Sequence, residues 1–164
     1  MTDGTPVTRA TEAAAASGVP HRVVVFGHAT SAADAAAKQG IPLGALLRTI
    51  VVRRGADDYL FVLVPGGRRF DWPKLRALLG VTRMSLPDKD EAKAVTGYER
   101  GTITPFGSER PWPVIADASF LDQPVVSIGG GTFGVTIQLA PADLVTALGA
   151  TVSDVSVPDE GGEG

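Results

Sequence analysis

Apolar positions along the chain fall into short runs that switch between helical spacing and the alternation of strands. The alanine-rich stretch Pro6–Ser17 stops at Gly18, as a helix does with a glycine just past its end, and Pro20 bars continuation. His21–Phe26 is short and β-branched, which predicts a strand. Thr30 or Ser31 caps the next helix, with Asp34 three residues after Ser31 as a variant capping box and Gly40 at the end. Leu46–Arg53 and Tyr59–Val64 predict a hairpin turned by Gly55-Ala56-Asp57-Asp58 and buried on at least one face. Pro65-Gly66-Gly67 ends it.

Asp71 then caps a helix carrying Leu75, Leu78 and Leu79 to Gly80, with Pro73 in its first turn. Val81–Leu86 reads as a returning strand, and Ser85 with Asp88, Glu91, Ala92, Val95 and Gly97 repeats the capped-helix pattern. Val114–Ala116, Val125–Ile128 and Gly134–Leu139 predict further strands, and Pro141–Leu148 a closing helix stopped by Gly149. Strands that cluster as well as mix with helices predict an α+β fold with a strongly curved, mixed sheet. No repeat or linker divides the chain, so residues 1–152 read as one domain. Acidic residues mixed with glycines make 153–164 an expected disordered tail.

Composition narrows the chemistry. The 164 residues hold 44% hydrophobic and 20% charged residues, enough for a core without staples, and no apolar run approaches a membrane span. No basic region followed by an apolar one opens the chain, so a cytoplasmic address is expected. With no cysteine, thiolate nucleophiles and thiolate metal sites are excluded; two histidines leave little for a metal centre, and no cofactor is expected. The net charge of −3 argues against a broad cationic face for nucleic acid, although Arg53, Arg54, Arg68, Arg69, Lys74 and Arg76 lie close together in sequence.

Among motifs, Gly129 to Gly134 matches G-x-G-x-x-G literally, but Val135, Thr136 and Ile137 after it are strand formers where a dinucleotide site needs a helix N-terminus. A hairpin, or backbone closely approached by a ligand, is the better reading. The loop Gly101-Thr102-Ile103-Thr104-Pro105-Phe106-Gly107 joins backbone freedom, a fixed φ and hydroxyls, and can aim main-chain groups at a ligand. Arg48 interrupts an apolar strand, so it either reaches the surface by its stem or faces a polar pocket. Asp117 either borders a cleft at a strand end or caps a turn at Ala118-Ser119. His21 and His28 read as structural or solvated.

Several of these segments, in this order, resemble one family. Thr30–Gly40, Arg48-Thr49, Asp71–Gly80, Leu86–Tyr98, the Gly101–Gly107 loop, Ile115-Ala116-Asp117 and Val126–Gly130 look like the YbaK/prolyl-tRNA-synthetase-associated editing domain. The likeness spans roughly residues 20 to 150, and its most specific piece is the glycine-x-x-x-proline loop followed by Phe-Gly. It implies a curved mixed sheet approaching a barrel with flanking helices, and a freestanding aminoacyl-tRNA deacylase that clears mischarged tRNA, of the tRNA(Pro) type. It further implies mischarged aminoacyl-tRNA as partner, with a synthetase as a second.

By the same resemblance, Gly101, Thr102, Ile103, Thr104, Pro105 and Phe106 bind the aminoacyl end and terminal adenosine. Ser127, Gly129 and Gly130 line the pocket with Thr49; Asp117 borders it and, with Arg48 and Gly101, makes up the implied catalytic set. Arg48 stands where the family usually has lysine and holds the 3′-terminal phosphate, as a planar fork in place of a point charge. An aminoacyl ester is already activated, so an oriented water and main-chain donors at the developing oxyanion suffice without a side-chain base. The alternative is a non-catalytic tRNA- or nucleotide-binding module on the same fold.

Overall fold

The unbroken apolar run Tyr59–Val64 lies within the central strand of the molecule. The computed structural model describes residues 6–159. In it β2 (Leu47–Gly55) and β3 (Asp58–Pro65) form the expected hairpin, closed by a two-residue turn in which Asp57 takes φ 55°. On its other edge β3 pairs in parallel with β5 (Val114–Asp117), and β5 in parallel with β8 (Thr151–Ser153). Both faces of β3 are covered. Phe61 and Leu63 enter one apolar cluster while Leu60, Val62 and Val64 enter a second, as strand alternation requires. Full burial of each such side chain contributes about 1.5–3 kcal/mol.

A second, antiparallel sheet has the order β1 (Arg22–Val25), β7 (Val135–Leu139), β6 (Val126–Gly129). Ile128, Ile137 and Leu139 turn into the same cluster as Phe61. Helices α1 (Arg9–Ser17) and α5 (Pro141–Leu148) pack Ala10, Ala14 and Leu144 there, whereas α3 (Trp72–Leu79) sends Leu75 into the other cluster. Caps fix the helix ends. Ser31 caps α2 (Ala32–Gln39), Asp71 caps α3 and Asp88 caps α4 (Lys89–Thr96). Asp34 completes its box one residue early, accepting from Thr30 N at 2.9 Å. Thr8 forms a full box with Thr11, so α1 begins at Arg9 and not at Pro6.

The α+β class holds, but a strongly curved sheet approaching a barrel does not. Among the described residues the strands divide into three sheets, and none is closed. Where β2 and β6 would join the two larger sheets, the described residues show one parallel bridge, from Leu46 just before β2 to Ser127. Pro42 and the 3₁₀ turn Leu43–Ala45 precede β2, and the turn takes the Leu46 N–H for Leu43 O, so ladder pairing stops there.

Two further expectations are corrected. Val81–Leu86 is not a strand; only Ser85 bridges, to Arg53, and α4 starts after Asp88 because Pro87 pushes Leu86 out of helical geometry. The disordered tail expected from 153 is ordered as far as Asp159 is described. β9 (Ser156–Pro158) pairs with β4 (Arg68–Phe70), and Val155 and Ser156 are buried; positions 160 to 164 lie outside the described residues.

Candidate functional site

A cavity of about 900 Å³ opens where β2 and the end of β6 approach each other. Its walls are Arg48 to Val51 of β2, Gly101 to Ile103, Ser127 to Gly129, Thr132 to Thr136 and Phe26 to Ser31. Arg48, Thr49, Gly101, Thr102, Ile103, Ser127 and Gly129, far apart in sequence, therefore meet at one site. The space falls within the range of small-ligand sites.

The loop after α4 is held by its own hydrogen bonds. Thr102 N and Oγ1 both donate to Glu99 O, at 2.9 and 2.8 Å. The Tyr98 hydroxyl donates to Phe106 O at 2.5 Å, and burial pushes that phenol up to about 12. Thr104 and Phe106 are buried, and a Cβ at Gly107 would meet Arg9 O at 2.4 Å. The second half of the loop is thus an anchor, and the first half faces the cavity. Thr104, Pro105 and Phe106 do not line it, contrary to their expected ligand contact.

Gly101 takes φ 93°, and a Cβ there would lie 3.0 Å from the Phe133 ring. At Gly129 the Thr102 and Ile103 carbonyl oxygens lie 3.5 and 3.3 Å from such a Cβ, so the loop rests directly on the end of β6. Gly130 does not line the cavity; its N–H donates to Val135 O at 2.9 Å and closes the β6–β7 hairpin. The glycine run is that hairpin, with no helix after it, as strand formers at 135 to 137 required.

Cationic side chains Arg48, Arg69, Lys89 and Arg100 line the cavity, and among the described residues no aspartate or glutamate does. None of these four forms an ion pair among the described residues. The arginine-rich stretch of sequence splits accordingly. Arg53 pairs with Glu91 at 3.4 Å, Arg54 with Asp58 at 2.9 Å and Lys74 with Asp154 at 2.9 Å, whereas Arg48 and Arg69 face the site. Arg48 is exposed and donates to Arg68 O, which leaves other guanidinium N–H groups for a ligand.

Asp117 is elsewhere. It is 1% exposed, accepts from Ser119 N at 3.1 Å and Val155 N at 2.9 Å, and lies 3.9 Å from Arg68 Nε. The turn-capping alternative describes it, and it does not border the cavity. His21 Nδ1 contacts Val19 O at 2.7 Å, away from the site, while His28 stands exposed at the cavity mouth.

Residues 27–147 match the model of the aminoacyl-tRNA editing domain. The chain belongs to that family. A relative from Enterococcus faecalis, named "Putative Cys-tRNA(Pro)/Cys-tRNA(Cys) deacylase EbsC", is 22% identical over 129 residues, 79% of each chain. A crystal structure of "a putative trans-editing enzyme for prolyl tRNA synthetase" superposes with TM-score 0.83 at 26% identity, covering 91% of this chain and 95% of that one. A hypothetical protein superposes at 0.84 with 28% identity, covering 92% of this chain and all of its own.

This editing domain also places residues at the cavity that motif reading passed over: Gln39, Phe133 and Thr136. Phe133 is 70% exposed, in the glycine hairpin. An aromatic between glycines at a turn tip buries nothing, and that was the available signal. Gln39 carried none, because its partners lie 88 to 99 residues away. No helix among the described residues is long and apolar enough to cross a membrane.

Proposed function

We propose that this editing domain is a deacylase acting in trans on mischarged tRNA, with tRNA(Pro) as carrier. The observation that carries the reading is one cavity reached by Arg48-Thr49, Gly101 to Ile103 and Ser127 to Gly129, with four cationic side chains and no carboxylate in its lining. An aminoacylated 3′ end brings phosphates, an adenosine and a small ester. Arg48 takes the terminal phosphate as a fork, with Arg69, Lys89 and Arg100 drawing in the preceding backbone. Phe133 offers the terminal base an aromatic face. The names of the relatives support tRNA(Pro) and a small acyl group such as cysteine.

The reaction is hydrolysis. Water adds to the ester carbonyl carbon, the tetrahedral oxyanion collapses, the bond to the ribose oxygen breaks, and that oxygen takes the proton. The Gly101 and Ile103 N–H groups, which have no acceptor among the described residues, are the donors for the oxyanion. Gly101 O and the neighbouring ribose hydroxyl orient the water. The described lining has no carboxylate and the chain no cysteine, which fits catalysis by position and main-chain polarity. Selectivity then rests on pocket size, worth about 1–3 kcal/mol per methylene.

Purified protein is to be incubated with tRNAs charged with alanine, cysteine, serine or threonine. Hydrolysis of at least one is expected, with loss in Gly101→Val. A panel left intact overturns the enzyme reading.

A further inference from the structure

Hydrogen-bond polarity at the cavity wall is fixed by a residue outside it. Arg22 Nη2 donates to Gln138 Oε1 at 2.9 Å, and a guanidinium has no acceptor, so the Gln138 amide oxygen faces Arg22. Its Nε2 therefore faces the other way, where it donates to Gln39 Oε1 at 3.0 Å. An amide NH₂ only donates, which in turn fixes the Gln39 amide. The Ser127 and Thr136 hydroxyls each lie 2.8 Å from that same Gln39 oxygen, and both must donate to it.

Both hydroxyl protons are thus committed. Ser127, 1% exposed, and Thr136 line the cavity and accept no hydrogen bond among the described residues, so toward a ligand they can only accept. Gln39 lines the cavity as well, and its Nε2 is buried with no acceptor among the described residues. An orphaned buried donor costs about 1–3 kcal/mol until something accepts from it. The cluster therefore presents two acceptor oxygens and one donor nitrogen, and a group with two N–H bonds and a lone pair answers all three atoms.

We propose that Gln39, Ser127 and Thr136 form the subsite for the α-amino group of the aminoacyl ester, bound as the neutral amine. A neutral primary amine has two N–H bonds for the Ser127 and Thr136 oxygens and one lone pair for Gln39 Nε2. An ammonium has three donors and no lone pair, which leaves the amide unanswered. The four cations and missing carboxylate of the lining also favour the uncharged form. The subsite deepens the deacylase reading and rests on it: it makes the cavity recognise an amino acid rather than any acyl group.

The test uses non-hydrolysable analogues and needs no turnover. Binding of 3′-alanylamino-3′-deoxyadenosine and of its lactyl counterpart, in which a hydroxyl replaces the amine, is measured by calorimetry at about pH 9, where the amine is neutral. The full chain is expected to prefer the alanyl analogue by roughly tenfold, the worth of about one hydrogen bond. Gln39→Leu and the near-isosteric Thr136→Val are expected to bind the two analogues alike, with lactyl affinity retained as evidence of folding. Equal binding by the unaltered chain, no binding of either analogue, or an undiminished preference in both variants overturns the subsite. The preference without hydrolysis of any charged tRNA overturns the deacylase reading alone. Hydrolysis with no preference overturns the subsite alone.

Discussion

Asp117 Oδ1 accepts the main-chain N–H of Val155 at 2.9 Å, tying the end of β5 to the turn before β9. The same carboxylate holds Ser119 and lies near Arg68, whose Nε donates to Ser156 Oγ at 2.7 Å. Asp117→Ala leaves the buried Val155 N–H unpaired, and a loss of about 1–3 kcal/mol is expected. Urea unfolding reads the stability, while deacylation is scaled to the folded fraction, which is expected to keep its rate. Unchanged stability with lost hydrolysis would return Asp117 to the chemistry.

Arg48 donates to Arg68 O and also reaches the cavity, so its guanidinium is held in place at the cavity wall. Arg48→Ala is expected to weaken tRNA binding and to lower the slope of log K against log salt by about 0.7–0.9, one phosphate contact. Arg48→Lys keeps the charge and loses the fork, so its affinity should fall between the two. Filter binding across a salt series checks both. Hydrolysis seen only in the lysine variant would mean that the natural chain is a binding module.

Much of the fold was legible because local chemistry marks its own boundaries. Ser31 and Asp71 cap their helices as expected, whereas Asp88 and not Ser85 caps α4, and Gly18, Gly40, Gly80, Gly97 and Gly149 end theirs in left-handed geometry. β4 and β9 were not, since three residues each carry no period and their pairing depends on Arg68 and Lys74 reaching Ser156. The site was legible in part. Gly101 and Gly129 stand out as glycines, and Arg48 as a charge in an apolar strand. Asp117 satisfied two descriptions until Val155, 38 residues on, decided between them.

Phe133 stands 70% exposed beside Gly101, at the edge of a cationic cavity. Loss of a base-stacking ring costs about 1–3 kcal/mol, so Phe133→Ala should weaken binding of a CCA-ended acceptor stem roughly tenfold. Phe133→Trp should retain it. The ring is solvated, so thermal stability is expected to stay unchanged in both. Equal affinity in the alanine variant would leave the aromatic without a ligand role.

Both tyrosines of the chain ionise late. Burial lifts Tyr98 from 10.0 to about 12; at Tyr59 the hydrogen bond to Glu91 leads, followed by burial. Above pH about 10 the unfolded chain releases a phenol proton that the folded chain still holds. The stability carried by Tyr98 is therefore complete below pH about 10 and is lost as pH rises toward about 12. Absorbance at about 295 nm should show native phenolate appearing later than in urea-unfolded protein, with Tyr98→Phe removing the latest step.

Gly101→Val separates two causes of loss at the same position. A β-branched residue at φ 93° is strained whatever surrounds it, and its Cβ would also press on Phe133 at 3.0 Å. The Phe133 ring is at the surface and can swing aside, whereas the backbone has no such escape. On the proposed mechanism strain moves the Gly101 and Ile103 N–H groups off the ester, and hydrolysis is expected to fall at least about a hundredfold, as when an oxyanion donor is removed. The loop's anchors at Tyr98, Thr104 and Phe106 remain, so the thermal midpoint should drop by only a few degrees for about 1–2 kcal/mol. Adding Phe133→Ala relieves the contact but not the backbone. If the double variant stays inactive, φ is the cause; if it recovers, the ring was, and the oxyanion donors were never displaced.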